Sequence, residues 1–218
     1  MTVDDENSSG GNVAEAIRLV EKIFNARNLK RKKIFANDVE PLRQGLLNSH
    51  KDFLKILSDM QTICVRLERS KNTRRNDISK ELSNIDDRLR ELSGVRMENR
   101  AERRSVYEEA RVRRNNVSEH FNKKKIILSQ DEIEMMSKFY DTICDYFQLD
   151  QRGYSHDIAA LIKYIDHLAY STEKGIDPER VSKDLIEVKL RCTEYEKRQE
   201  DNWALISSLF SSLKDKLT

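Results

Sequence analysis

Residues 42–67 read LRQGLLNSHKDFLKILSDMQTICVRL, and within them Leu42, Leu46, Phe53, Leu57, Met60, Cys64 and Leu67 recur at steps of three, four or seven. Such spacing returns to one face of an α-helix every turn or two, so the stretch predicts a long helix carrying a coiled-coil seam of about four heptads. Leu47, Leu54, Ile56 and Ile63 widen that seam into a face broad enough for two neighbours. From residue 42 to residue 121 there is no proline, and the glycines are Gly45 and Gly94. A sheet protein needs far more turn punctuation than this.

Moving outward, the seam breaks over residues 68–77. Lys71 and Arg74 stand there where the repeat calls for apolar residues, and Ser70, Asn72, Asn76 and Asp77 favour caps and turns. It resumes at Ile78, Leu82, Ile85, Leu89 and Leu92, is interrupted at Ser93-Gly94, and thins to Val106, Ala110, Val117 and Phe121. Two geometries satisfy this pattern. One is an antiparallel hairpin with its tip near Asn72 or Gly94; the other is a rod of roughly 80 residues, about 120 Å long. The hairpin is the better expectation, because an adjacent segment is the nearest partner for an unpaired seam.

The flanks carry their own signals. Residues 1–11 are acidic, polar and glycine-ended, and read as a disordered tail. Asn12 caps an amphipathic helix over residues 12–28 with the stripe Val13, Ala16, Ile17, Val20, Ile23 and Phe24. The basic cluster at residues 30–33 suits either a helix C-terminus or an anionic surface. Asp38 and Pro41 then mark a new helix start, opening a hairpin or rod over residues 39–125. Residues 129–218 read as a C-terminal helical module. Ser129 and Glu132 form a capping box, Ser155 caps a second helix after Gly153, and Asp177-Pro178 opens a long terminal helix. That last helix bears the most regular seam: Val181, Leu185, Val188, Cys192, Tyr195, Gln199, Asn202, Ile206, Leu209 and Leu213. The amides Gln199 and Asn202 either fix register within a buried seam or mark a locally exposed one.

Composition agrees with an all-α, elongated protein. Charged residues make up 36% and aromatics 7%, with six glycines and two prolines. The net charge of +2 averages unlike regions, since residues 66–125 hold 18 Lys/Arg against 11 Asp/Glu. No signal-peptide pattern opens the sequence, and no apolar run approaches the ~20 residues that span a bilayer. Cys64, Cys144 and Cys192 stand singly on apolar faces, as reduced thiols do, so a cytoplasmic location is expected.

Catalytic and cofactor chemistry find little support. His50, His120, His156 and His167 lack metal-ligand spacing, there is no Cys-x-x-Cys or Glu-x-x-His, and no phosphate-binding glycine loop. Arg152 and His156 resemble, over a handful of residues, the Arg/His pair of HEPN-type ribonucleases, which would imply RNA cleavage. Their three-residue spacing is shorter than that motif's, and no catalytic role is carried over.

Three readings of function follow. The first is a non-enzymatic scaffold pairing its seams (Leu46 to Leu67 and Val181 to Leu213) with each other, with a second copy or with another protein. The second is nucleic-acid binding through Arg96, Arg100, Arg103, Arg104, Arg111, Arg113, Arg114, Lys123, Lys124 and Lys125, each suited to phosphate. Against it, Glu98, Glu102, Glu108 and Glu109 are interleaved at ion-pairing distance. The third is a BAR-like surface on an anionic membrane, which the short capped helices after residue 129 fit poorly. No cofactor, metal or small-molecule substrate is expected.

Overall fold

A computed structural model of the chain describes residues 9–70, 75–124, 127–149 and 155–218. The regular structure there is entirely helical: α1 (Ser9–Ile34), a π turn (Phe35–Val39), α2 (Glu40–Ser70), α3 (Arg75–Lys124), α4 (Gln130–Leu149), α5 (Ser155–Lys174) and α6 (Pro178–Leu217). None of the described helices is long and apolar enough to cross a membrane.

Long seams demand partners, and those of α2, α3 and α6 find them inside the chain. α2 and α3 lie antiparallel: Asn99 Nδ2 donates to the Ser49 carbonyl at 2.8 Å, and farther along Arg88 meets Asp59 at 3.3 Å. Residues 71–74, the segment expected to form the hairpin tip, lie outside the described residues. Gly94 sits within α3 rather than at a bend. α6 also runs against α2, with Phe35 on Phe210 (5.3 Å) at one end and Lys189 on Glu68 (2.9 Å) at the other. α4 and α5 follow one another along the fourth corner, each packed between α3 and α6. The result is an up-down-up-down four-helix bundle whose third member comes in two pieces.

The helices of residues 39–125 and those of the C-terminal module, residues 129–218, pack against each other in one bundle. Both of its hydrophobic cores draw on both halves of the sequence. One core joins Leu42, Leu46, Val106 and Ala110 to Phe139, Tyr140, Phe147, Ile206 and Phe210. The other joins Leu57, Met60, Ile85 and Leu89 to Leu161, Ile165, Leu185 and Val188. Gly45 permits the close approach of α2 and α3, because a Cβ there would stand 3.0 Å from Val106 Cγ2.

Local chemistry sets the helix ends. The Ser129 N–H donates to Glu132 Oε2 at 2.7 Å and the Glu132 N–H to Ser129 Oγ at 3.3 Å, forming the expected capping box. Gly175 at φ +66° and Asp177 at φ 39° turn the chain into α6, where Asp177 Oδ1 accepts from the Arg180 N–H at 3.1 Å.

The N-terminal region departs from expectation. The helix does not stop near Asn28, and Asp38-Pro41 does not start a new one. The backbone at Ile34 and Glu40 is right-handed helical on either side of the π turn, so a single helix runs from Ser9 to Ser70, roughly 90 Å. Pro41 has no N–H, and the Asn37 carbonyl one turn back loses its helical donor. Arg113 Nη1 donates to that carbonyl at 2.5 Å, while the Tyr140 hydroxyl donates to the Asp38 carbonyl at 3.2 Å. The π turn, closed by the Glu40 N–H on the Phe35 carbonyl, absorbs the irregularity.

Candidate interaction surface

The two seams singled out in the sequence lie inside the bundle. Leu46, Phe53, Leu57, Met60, Cys64 and Leu67 on α2 are buried, as are Val181, Leu185, Val188, Cys192, Gln199, Ile206 and Leu213 on α6. Tyr195, Asn202 and Leu209 are half-buried at the margins. Of the proposed partners for these seams, the chain itself occupies them, because α2 and α6 are similar stripes running in opposite directions over the same span. They are not a free face for a second protein.

The arginine-rich stretch of α3 is also largely engaged within the molecule. Arg103 is 2% exposed, and its guanidinium lies over Phe53 (4.5 Å), Tyr146 (5.3 Å) and Phe147 (5.4 Å). Arg111 pairs with Glu108 at 2.8 Å and Arg114 with Asp141. Arg113 joins Glu109, Asp38 and the Asn37 carbonyl. Arg100 and Arg104 are exposed, while Arg96 is half-buried. The side chains of Lys123 and Lys124, like all of Lys125, lie outside the described residues, as do Arg152 and the side chain of His156.

Between the two cores lies a polar waist. His50 stacks on Trp203 at 5.1 Å and 16°, with Nδ1 3.1 Å from the Tyr146 hydroxyl. Burial, reinforced by the charge of Arg103, pulls the imidazole from 6.5 down to about 4, so it is neutral near pH 7. Gln199 is 2% exposed at this level, and neither its Oε1 nor the Ser49 hydroxyl has a hydrogen-bond partner among the described residues. The waist separates the cores and penalises any slip that would set Arg103 or Gln199 against aliphatic side chains. Burial also pushes the Cys64 and Cys192 thiols up to about 12, which leaves them inert as nucleophiles. Among the described residues no group of three His, Cys, Asp or Glu side chains converges to hold a metal ion. A shallow cleft between α5 and α6 is lined by Tyr164, Glu187 and Arg191, and its two charged groups pair with each other at 2.5 Å.

Among the described residues, the longest run of uncovered apolar side chains lies on α1. On α1, Ile17, Val20, Ile23 and Phe24 are 54–64% exposed. Ile17, Val20, Phe24, Arg27, Arg31 and Ile34 follow at steps of three and four, so they share one side of the helix. At Arg27 and Arg31 that side grips the end of the bundle. Arg27 donates to the Ile127 carbonyl at 3.0 Å, and Arg31 to the Lys216 carbonyl at 2.6 Å and to the capping-box carboxylate of Glu132. Ile34 and Phe35 then enter the core. Residues 9–26 thus form an arm projecting roughly 27 Å past the bundle. Full burial of a large aliphatic or aromatic side chain is worth ~1.5–3 kcal/mol, so these four withhold about 4–7 kcal/mol of burial until something covers them.

The sequence shows this stripe, shorter and less regular than the seams of α2 and α6. The distinguishing signal was the change along its own face from Ile17, Val20 and Phe24 to Arg27 and Arg31, which marks where the bundle ends. The waist was legible too: Asn99 and Arg103 continue the line of Leu92 and Val106, so the α3 seam persists with two polar members. No family model, curated protein or solved structure matches the chain.

Proposed function

We propose that this protein is a non-enzymatic helical interaction subunit whose working face is the apolar stripe of α1. The bundle acts as a rigid mount, and the arm works by helix-face pairing with a protein partner. The observation that carries this reading is the contiguity of Ile17, Val20, Ile23 and Phe24 on a projecting helix, all more than half exposed. Solitary exposed apolar residues such as Met97 and Val112 on α3 are ordinary, whereas a stripe with no cover marks a contact surface. The arginine surface is a weaker basis for binding phosphate, because Arg103 is buried and Arg111, Arg113 and Arg114 are paired. A photo-crosslinking residue at Val20 or Phe24, with Met97 and Val112 as controls, tests the reading in the native host. Adducts confined to the α1 positions are expected. Absence of adducts, or equal yields at all four positions, contradicts it.

A further inference from the structure

We infer that the occupant of the α1 stripe is the α1 arm of a second copy of this chain, paired antiparallel so that two bundles stand end to end. This rests on the reading of α1 as a contact surface and adds the identity of what covers it. The first argument is geometric. The stripe lies on the side of the helix that grips Ile127, Glu132 and Lys216 a turn or two later, so bundle and stripe share one side of α1. A flat lipid surface laid along the stripe would run into α4 and α6. A covering element must be slender and arrive from beyond the bundle end, opposite in direction to the arm. A second copy supplies such an element, of equal length, under a two-fold axis that closes the assembly at two chains.

Charge supports the same occupant. The arm from residue 9 to residue 26 carries Arg18 and Lys22 against Glu15 and Glu21, so it has no net charge. Two arms meet without like-charge repulsion, and nothing in the arm selects a polyanion or a strongly acidic partner. The basic residues that follow lie at the arm's base, where Arg27 and Arg31 are bonded to the bundle.

Spacing supplies the register. The stripe positions 13, 17, 20 and 24 are separated by four, three and four residues, a sequence of gaps that reads the same in both directions. A two-fold axis midway between residues 17 and 20 sets Ile17 of each copy against Val20 of the other, and brings position 24 level with position 13. Such facing seam positions in antiparallel helices fall within reach of a disulfide.

Sedimentation velocity of the full chain from low to high micromolar concentration tests the proposal. It is run beside the quadruple variant Ile17→Ala, Val20→Ala, Ile23→Ala, Phe24→Ala, with circular dichroism confirming that helix content is retained. A second arm mixes Ile17→Cys chains with Val20→Cys chains under mild oxidation; Cys64, Cys144 and Cys192 are buried and do not compete. The expected result is a reversible dimer that the quadruple variant weakens at least tenfold, together with a 17-to-20 disulfide formed faster than 20-to-20. A wild-type chain monomeric throughout, or a dimer untouched by the quadruple variant, overturns the proposal. If the chain is monomeric but crosslinks at Val20 capture a different protein, the interaction reading stands and the second-copy occupant is wrong. If neither occurs, both fall.

Discussion

The stripes of α1 and α6 are written in the same code, apolar residues at steps of three and four, yet one is sealed and the other is open. Leu185, Ile206 and Leu213 of α6 are fully buried, while Ile17, Val20 and Phe24 of α1 stand more than half exposed. What differs is supply. At every level of α6 the chain returns with α2, α4 or α5 to cover it; on the N-terminal side of Arg27, every α1 side chain that is described is exposed. Periodicity declares that a face exists, and the reach of the remaining helices decides whether the chain itself closes it. A face left open at the end of a rigid rod is where a partner contributes most.

This contrast is broken most severely at the sealed end. Leu46→Ala or Leu185→Ala removes a fully buried side chain and should cost about 2–5 kcal/mol in denaturant unfolding. At the waist, Arg103→Ala should cost about 2–4 kcal/mol through a cavity and lost stacking on Phe53, Tyr146 and Phe147. Arg100→Ala and Arg104→Ala, at exposed positions three residues before and one residue after it, should stay within about 0.5 kcal/mol of wild type. Equal costs at 100 and 103 would show that Arg103 is not packed as described.

The waist also predicts a pH dependence. The His50 imidazole binds its proton more weakly when folded, about 4 against 6.5, so between those values the unfolded chain holds more protons. Its contribution is complete above pH 6.5 and is lost as pH falls toward 4, by about 3 kcal/mol at most. His50→Gln, which keeps an acceptor for the Tyr146 hydroxyl, should flatten that part of the stability profile. An unchanged slope would contradict the burial of a neutral imidazole. The smallest effect belongs to the open stripe: the quadruple alanine variant of α1 should shift the unfolding of the isolated bundle by less than about 0.5 kcal/mol.

Much of the fold was legible in residues that stand alone in their meaning. Ser129 with Glu132, Asp177 with Pro178 and Gly175 each specify a helix end whatever else surrounds them, and each lies where the spacing placed it. Tertiary compensation was not legible. Asp38 and Pro41 look like a helix start, because no local rule reveals that Arg113, 76 residues away, donates to the carbonyl the proline leaves without a donor. Arg103 reads as one of many surface cations until Phe53 and Phe147 arrive from other helices to enclose it. The same limit applied to the candidate site. Ile17, Val20 and Phe24 read as an apolar stripe in the sequence, but the position of the bundle end is what leaves them without a cover among the described residues.

Amide hydrogen exchange over residues 17–24 tests the central claim most directly, comparing wild type with the quadruple alanine variant at a concentration where the contact forms. Alanine favours the helix more than the residues it replaces, so any loss of protection reports lost cover rather than lost helix propensity. The account predicts slow exchange in the wild-type arm, fast exchange in the variant arm, and identical protection at Leu57 and Val188 in both. Equal exchange of the two arms would mean that nothing covers the stripe, and would contradict the account.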